Sequence, residues 1–189
     1  MGFIEKRLRP RLLAVYAVAL LLVWFAEPTP RSLALGGSLA LAGESLRLWA
    51  TGHLNKNAEL TVTGPYAYLR HPLYLGTLSI GTGFAVMAST LWAFGVWFVC
   101  LLGYFGYYMP YKNRIEGARL EEIYGDRYRR FSLAVPRLIP RLHAYRPLEA
   151  NPGTDDGWNR KRFYSNNELG TTLVVAVGAA AMVCRWAFA

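Results

Sequence analysis

Cysteine is nearly missing. The two thiols among 189 residues, Cys100 and Cys184, each sit inside an apolar run, which excludes a disulfide framework. No metal-ligating cluster of residues is present, and no Gly-x-Gly-x-x-Gly follows a strand-like run. The soluble route to nucleotide binding is thereby excluded. A small-x-small cleavage site is also lacking after Trp24-Phe25-Ala26, although Lys6, Arg7, Arg9 and Arg11 precede an apolar stretch. That stretch therefore reads as an uncleaved helix rather than a secretory signal. Cys184 lies too far from the C-terminus for a prenylation box. Acidic residues are scarce as well, 12 against 21 Lys and Arg, for a net charge of +9.

What fills the chain instead is apolar sequence. It makes up 53% of the residues and is gathered into stretches at 12–26, 33–50, 73–88, 91–109 and 169–189. A spanning helix needs about 20 apolar residues. The fold class expected is all-α: a polytopic integral membrane protein of about five transmembrane helices. The first and third stretches reach that length only with their flanks. The basic residues lie beside these stretches, so the excess of positive charge marks the cytoplasmic side of a membrane rather than a nucleic-acid surface. The N-terminus and every long basic connection are then cytoplasmic, in a bacterial inner membrane, with membrane lipid as a partner and no nucleic acid. Residues 1–140 form the expected membrane core, 141–168 a cytoplasmic linker and interface segment, and 169–189 an additional C-terminal span.

Within the core, Gly36, Gly37, Ala40 and Gly43 are small residues that let helices approach closely in lipid. Glu44 and Arg47 are three residues apart, so they can pair on one helix face or snorkel to the interface. Residues 51–63 read as polar interfacial loop. The stretches at 73–88 and 91–109 are separated only by Ser89 and Thr90 and so form a helical hairpin. Tyr107 to Tyr111, around Pro110, ends the second arm. An amphipathic cytoplasmic helix follows over 115–124, stopped by Gly125, and then a second short segment ending at Val135-Pro136.

The most unusual stretch precedes the hairpin: Gly64-Pro65-Tyr66-x-Tyr68-x-Arg70-His71-Pro72-x-Tyr74-x-Gly76. Pro72 suits the first turn of a helix, where its missing N–H is no loss. Arg70 and His71 then stand at the mouth of that helix, where the dipole favours an anion. Singly, each residue is explained by topology, an aromatic belt or packing. Together they are a candidate site, and Lys112-Asn113-Arg114-Ile115-Glu116 is the other stretch of complementary charge.

These residues resemble the isoprenylcysteine carboxyl methyltransferase family. The likeness extends to Glu116-x3-Leu120-x3-Tyr124-Gly125-x2-Tyr128-x2-Phe131-x3-Val135-Pro136-x2-Ile139-Pro140 and covers residues 33–140. The resemblance implies an integral membrane enzyme that uses S-adenosylmethionine. It implies a lipophilic small molecule or lipidated peptide as substrate, entering from the bilayer. By the match, His71, Tyr74, Gly76 and Glu116 hold the cofactor, with Glu116 on its amino group, and a basic residue before Glu116, foremost Arg114, positions the substrate carboxylate. Gly117 replaces a usual second Glu, and Tyr124 and Phe131 exchange the usual Phe and Tyr.

The chemistry needs three things of the residues. A cation must hold the acceptor carboxylate, which a planar Arg does bidentately. An anion must meet the cofactor amine, and aromatic faces stabilise a sulfonium. Arg70 or Arg114, Glu116, and Tyr68, Tyr74 or Tyr128 supply them. The alternatives are methylation of a phospholipid amine or a thiol, a sterol-reductase-like nicotinamide enzyme, and a non-enzymatic membrane scaffold.

Overall fold

The computed structural model describes residues 20–55, 60–147, 157–166 and 168–189, and among these all regular structure is helical. Most of the expected first span and residues 148–156 of the linker lie outside the described residues. Residues 20–24 are helical, and the chain then turns so that Glu27 N–H donates to the Ala88 carbonyl at 2.9 Å.

Helix α1 (Pro30–His53) starts where the sequence provides a reciprocal cap. Thr29 Oγ1 accepts from Ser32 N–H at 3.1 Å, Ser32 Oγ accepts from Thr29 N–H at 2.9 Å, and Pro30 occupies the first turn. The helix runs three residues past the expected end at Ala50, so residues 51–53 are its last turn and not loop. Its partner is α2 (Pro72–Ala88), which begins at Pro72 as expected. The two helices meet through glycines. A Cβ on Gly83 would lie 2.5 Å from the Gly36 carbonyl oxygen, and one on Gly43 would lie 2.6 Å from that of Gly76. Side chains at these positions would drive the helix axes apart, so small residues are what bring α1 and α2 together.

Ser89, in a left-handed conformation with φ of 57°, reverses the chain into α3 (Leu91–Gly103), completing the expected hairpin. The second arm does not stop at Pro110. One turn of π-helix (Tyr104–Tyr108) leads directly into α4 (Met109–Tyr124), so the helix is continuous from Leu91 to Tyr124. Pro110 has no N–H to give to the preceding turn, and the wider turn just before it accommodates that loss without breaking the helix. At 34 residues it is about 51 Å long, about 20 Å more than the roughly 30 Å of hydrocarbon in a bilayer. Gly125 ends α4 with φ of 53°, and α5 (Asp126–Ala134) follows. After the linker come α6 (Arg160–Ser165) and α7 (Glu168–Ala187).

Two of the described helices, Leu91–Tyr124 and Glu168–Ala187, are long and apolar enough to cross a membrane, and α2 is a shorter apolar helix. Phe94, Phe98, Val99 and Leu102 on α3, and Leu173, Val174 and Val177 on α7, are exposed. Apolar faces of this extent call for lipid rather than water as their solvent.

Candidate active site at the mouth of the hairpin

The segment before α2 is shaped by its glycine and prolines. Gly64 has φ of 57°, and a Cβ there would lie 2.5 Å from the ring of His53, so both conformation and space require glycine. A 3-10 turn (Gly64–Ala67) then delivers the chain to Arg70 and His71. Residues after α5 run back across this segment and bond to it through the backbone. Arg70 N–H donates to the Pro136 carbonyl at 2.9 Å and His71 N–H to that of Arg137 at 3.0 Å. In return, Arg141 N–H donates to the Tyr68 carbonyl at 3.0 Å and Tyr145 N–H to that of Ala67 at 2.8 Å. The two motif stretches are thus fastened to one another, and Pro136, without an N–H, contributes only the carbonyl that Arg70 uses.

Between them lies a cavity of about 400 Å³, within the range of small-molecule sites, about 300–1,000 Å³. Its walls are the end of α1 with Leu54 and Asn55, then Leu60, Thr61 and Tyr66. Arg70 to Tyr74 stand at the start of α2, with Glu116, Arg119, Leu120, Ile123 and Tyr124 from α4 and Tyr128 and Phe131 from α5. A larger hollow of about 670 Å³ between residues 20–24 and α7 has, among the described residues, Arg185 as its one charged group.

His71 is the N-cap of α2. Its ring stacks on Tyr74, centroids 5.1 Å apart and planes 20° from parallel, and its side chain hydrogen-bonds to Asn113 of α4. Burial, and then the adjacent Arg70 charge, hold its pKa below the ordinary imidazole value, so the ring is neutral at neutral pH. Tyr74 is in turn met edge-on by Tyr104 at 6.2 Å and by Tyr108 at 6.3 Å, both from the π-turn. Burial, followed by the nearby charge of Glu168, pushes the Tyr66 phenol up, so it remains a neutral hydroxyl. Arg70 contributes the least satisfied group: its Nε is buried and has no hydrogen-bond partner among the described residues. Glu116 faces the same space, paired with Lys112 Nζ at 2.6 Å one helical turn back, where both side chains are more than a third exposed. Such an i, i+4 pair is worth only about 0.3–0.5 kcal/mol and yields readily to a bound amine.

Of the residues singled out in sequence, Arg70, His71, Tyr74, Glu116 and Tyr128 line this cavity, and Tyr68, Gly76 and Arg114 do not. Tyr68 serves the site through its carbonyl. Gly76 is buried against α1, where a Cβ would lie 2.5 Å from Arg47 Cγ, so it sets helix spacing. Arg114 is exposed, two residues from Glu116 and hence about 200° around the helix. Arg119, three residues after Glu116, is on the lining face and was legible from that spacing. A Cβ at Gly117 would sit 3.6 Å from the Tyr128 hydroxyl, an ordinary contact.

The residues fit S-adenosylmethionine. The buried, unpartnered Nε of Arg70 suits its carboxylate end, Glu116 its amine, and the rings of Tyr74 and Tyr128 its sulfonium and adenosine faces.

The His71 geometry carries a pH prediction. Because its folded-state pKa is depressed, the unfolded chain binds more protons in the window just below the ordinary His value. Stability therefore rises with pH across that window and falls as pH drops through it. Unfolding midpoints in detergent, scanned from about pH 7.5 to about pH 5, should show this slope, and His71→Gln should flatten it. An unchanged slope in the variant would assign the effect to another group.

Residues 35–127, just under half of the chain, match the family described as phospholipid methyltransferase. The cobalt-zinc-cadmium resistance protein CzcN of Cupriavidus metallidurans is 33% identical over 114 residues, which cover 59% of this chain and 49% of that protein. The chain thus spans about half the length of this relative. No solved structure matches significantly. The matched segment runs from α1 to the start of α5 and includes Arg70, His71, Tyr74 and Glu116. The 35–127 segment is thus similar to the phospholipid methyltransferase family, a family of membrane methyltransferases.

Proposed function

We propose that the cavity binds S-adenosylmethionine and that the chain methylates a carboxylate on a lipid-bearing acceptor, of the isoprenylcysteine type, reaching it from the bilayer. The observation that carries this reading is that Arg70, half-buried with a buried and unpartnered Nε, shares one cavity at a helix mouth with Glu116. When bound, the donor supplies an electrophilic methyl on a sulfonium. A carboxylate acceptor needs no general base, only orientation and exclusion of water, and orientation alone supplies about 7–11 kcal/mol. The chain's part is therefore to hold. Glu116 takes the donor's amine, and Arg70 and Arg119 offer two cations for the carboxylates of donor and acceptor. Tyr74, fixed between His71 and the π-turn tyrosines, presents a ring face. In this reading Arg114 is peripheral. The topology we infer has five spans, with the N-terminus and the cavity on the cytoplasmic side of a bacterial inner membrane.

A second reading, methylation of a phospholipid amine, is favoured by the family description and by a neutral His71 on the cavity wall, placed to accept a proton from the attacking amine. A metal-centred role, suggested by the relative's printed name, finds no group of three or more His, Cys, Asp or Glu among the described residues that could hold an ion.

Purified protein should bind S-adenosylmethionine in calorimetry and transfer labelled methyl to a membrane-lipid or lipopeptide panel. Base-labile label supports the ester, and base-stable label supports the amine. Binding of a reduced nicotinamide cofactor with none of the methyl donor would overturn both readings.

A further inference from the structure

We propose that residues 158–166 and 168–172, beyond the family-matched segment, act as a strap that sets the shape of the cavity from behind, with Glu168 a positioning residue acting through Arg47. The inference rests on the methyl-donor reading of the cavity.

The strap is fastened along the last three turns of α1 by polar bonds between distant parts of the chain. Trp158 Nε1 donates to the Leu48 carbonyl at 3.2 Å, and Asn159 N–H donates to that of Gly52 at 2.9 Å. Asn166 Nδ2 donates to the carbonyls of Thr51 at 2.9 Å and Leu54 at 3.0 Å, so a side chain from the strap caps the end of α1. Leu54 and Asn55, the first residues after that cap, are cavity wall. Fraying of the cap would move them.

One turn deeper, Arg47 joins three helices. Its Nε donates to Glu168 Oε1 at 2.7 Å, and its Nη1 donates to Thr77 Oγ1 and, at 3.3 Å, to the Leu73 carbonyl. Leu73 immediately precedes Tyr74, and both line the cavity. Glu168 is 4% exposed and Arg47 side-chain exposure is 13%, so the pair is sequestered and its geometry is firm. Thr172 adds a bond from its hydroxyl to Glu44 Oε1. Neither Glu168 nor Arg47 lines the cavity. They act on its two inner walls, the end of α1 and the first turn of α2, by fixing both to α7. The fork of Arg47 is what allows one side chain to hold the two walls at once.

Glu168→Ala should weaken S-adenosylmethionine binding at least tenfold. It should also speed backbone hydrogen exchange over residues 68–76 while leaving 91–103, on the hairpin's far arm, unchanged. Glu168→Gln keeps the shape without the charge and serves if the alanine variant does not fold; Glu168→Asp should restore part of the affinity at an unfolding midpoint equal to that of Glu168→Gln. Methyl-donor affinity within twofold of the parent for both Glu168→Ala and Glu168→Gln, or exchange over 68–76 unchanged, would overturn the strap. If the parent protein binds no S-adenosylmethionine, the functional reading fails and the exchange measurement alone decides whether the strap shapes the cavity.

Discussion

Arg70→Ala is expected to lower methyl transfer about 100-fold or more, equivalent to about 2.7 kcal/mol of lost transition-state binding, while leaving the unfolding midpoint unchanged or slightly raised. The two halves of this expectation have one cause. A guanidinium with a buried, unpartnered Nε has lost water contacts without gaining a replacement. Its presence therefore costs the apo fold free energy, and truncation relieves that cost. The side chain's backbone anchor, Arg70 N–H to the Pro136 carbonyl, survives the substitution. Arg70→Lys keeps the charge but not the planar fork, so it should recover only part of the activity. Rates with labelled donor, set beside melting curves in detergent, check both halves. Arg114→Ala is the comparator. Its place on the outward face of α4 leads us to expect less than a tenfold loss, and a loss matching that of Arg70→Ala would return the carboxylate-holding role to Arg114.

That contrast shows where the sequence could be read and where it could not. Pro72 fixed the start of α2, Ser89-Thr90 the hairpin, and Gly125 the end of α4, because each acts through its own backbone conformation or a missing donor. The membership of Arg70, His71 and Glu116 in one site followed from their charges and motif context. Arg114 was favoured by the family match, which places a basic residue just before Glu116 and says nothing of helix face. Face at Arg114 could be counted only if the helix was continuous, and Tyr107–Tyr111 read as its end. The π-turn that carries the chain past Pro110 has no sequence signature of its own here, yet it aims Tyr104 and Tyr108 at Tyr74. Glu44 and Arg47 read as a local pair, but their oxygen-to-nitrogen distance is 3.8 Å, and the shorter bonds of Arg47 go to Glu168, 121 residues away. A contact so distant in the chain leaves no local pattern, so the role of the C-terminal helix could not be read before the fold was known.

Gly83→Ala should destabilise the protein by about 2–3 kcal/mol, whereas Gly37→Ala should stabilise it by up to about 1 kcal/mol. The same substitution, in the interior of a helix in both cases, gains the same intrinsic helix propensity. What separates them is the surroundings of the new methyl group. At Gly37 nothing among the described residues lies within 4 Å, so only the propensity gain remains. At Gly83 the methyl would meet the Gly36 carbonyl oxygen at 2.5 Å and the Ala40 nitrogen at 2.8 Å. Both are backbone atoms of α1 and cannot rotate aside, so the axes of α1 and α2 must part. The damage should not stay local. The two helices touch again at Gly43 and Gly76, beside Arg47, and their ends carry Leu54, Asn55 and Tyr74 of the cavity. Gly83→Ala is thus expected to weaken methyl-donor binding from more than two helical turns away, without touching a lining residue. Melting curves and calorimetry on the two variants side by side test this. Equal midpoints would mean that α1 and α2 are held by lipid rather than by direct backbone contact, and a lowered midpoint with unaltered affinity would mean that the cavity walls do not depend on the spacing of these helices.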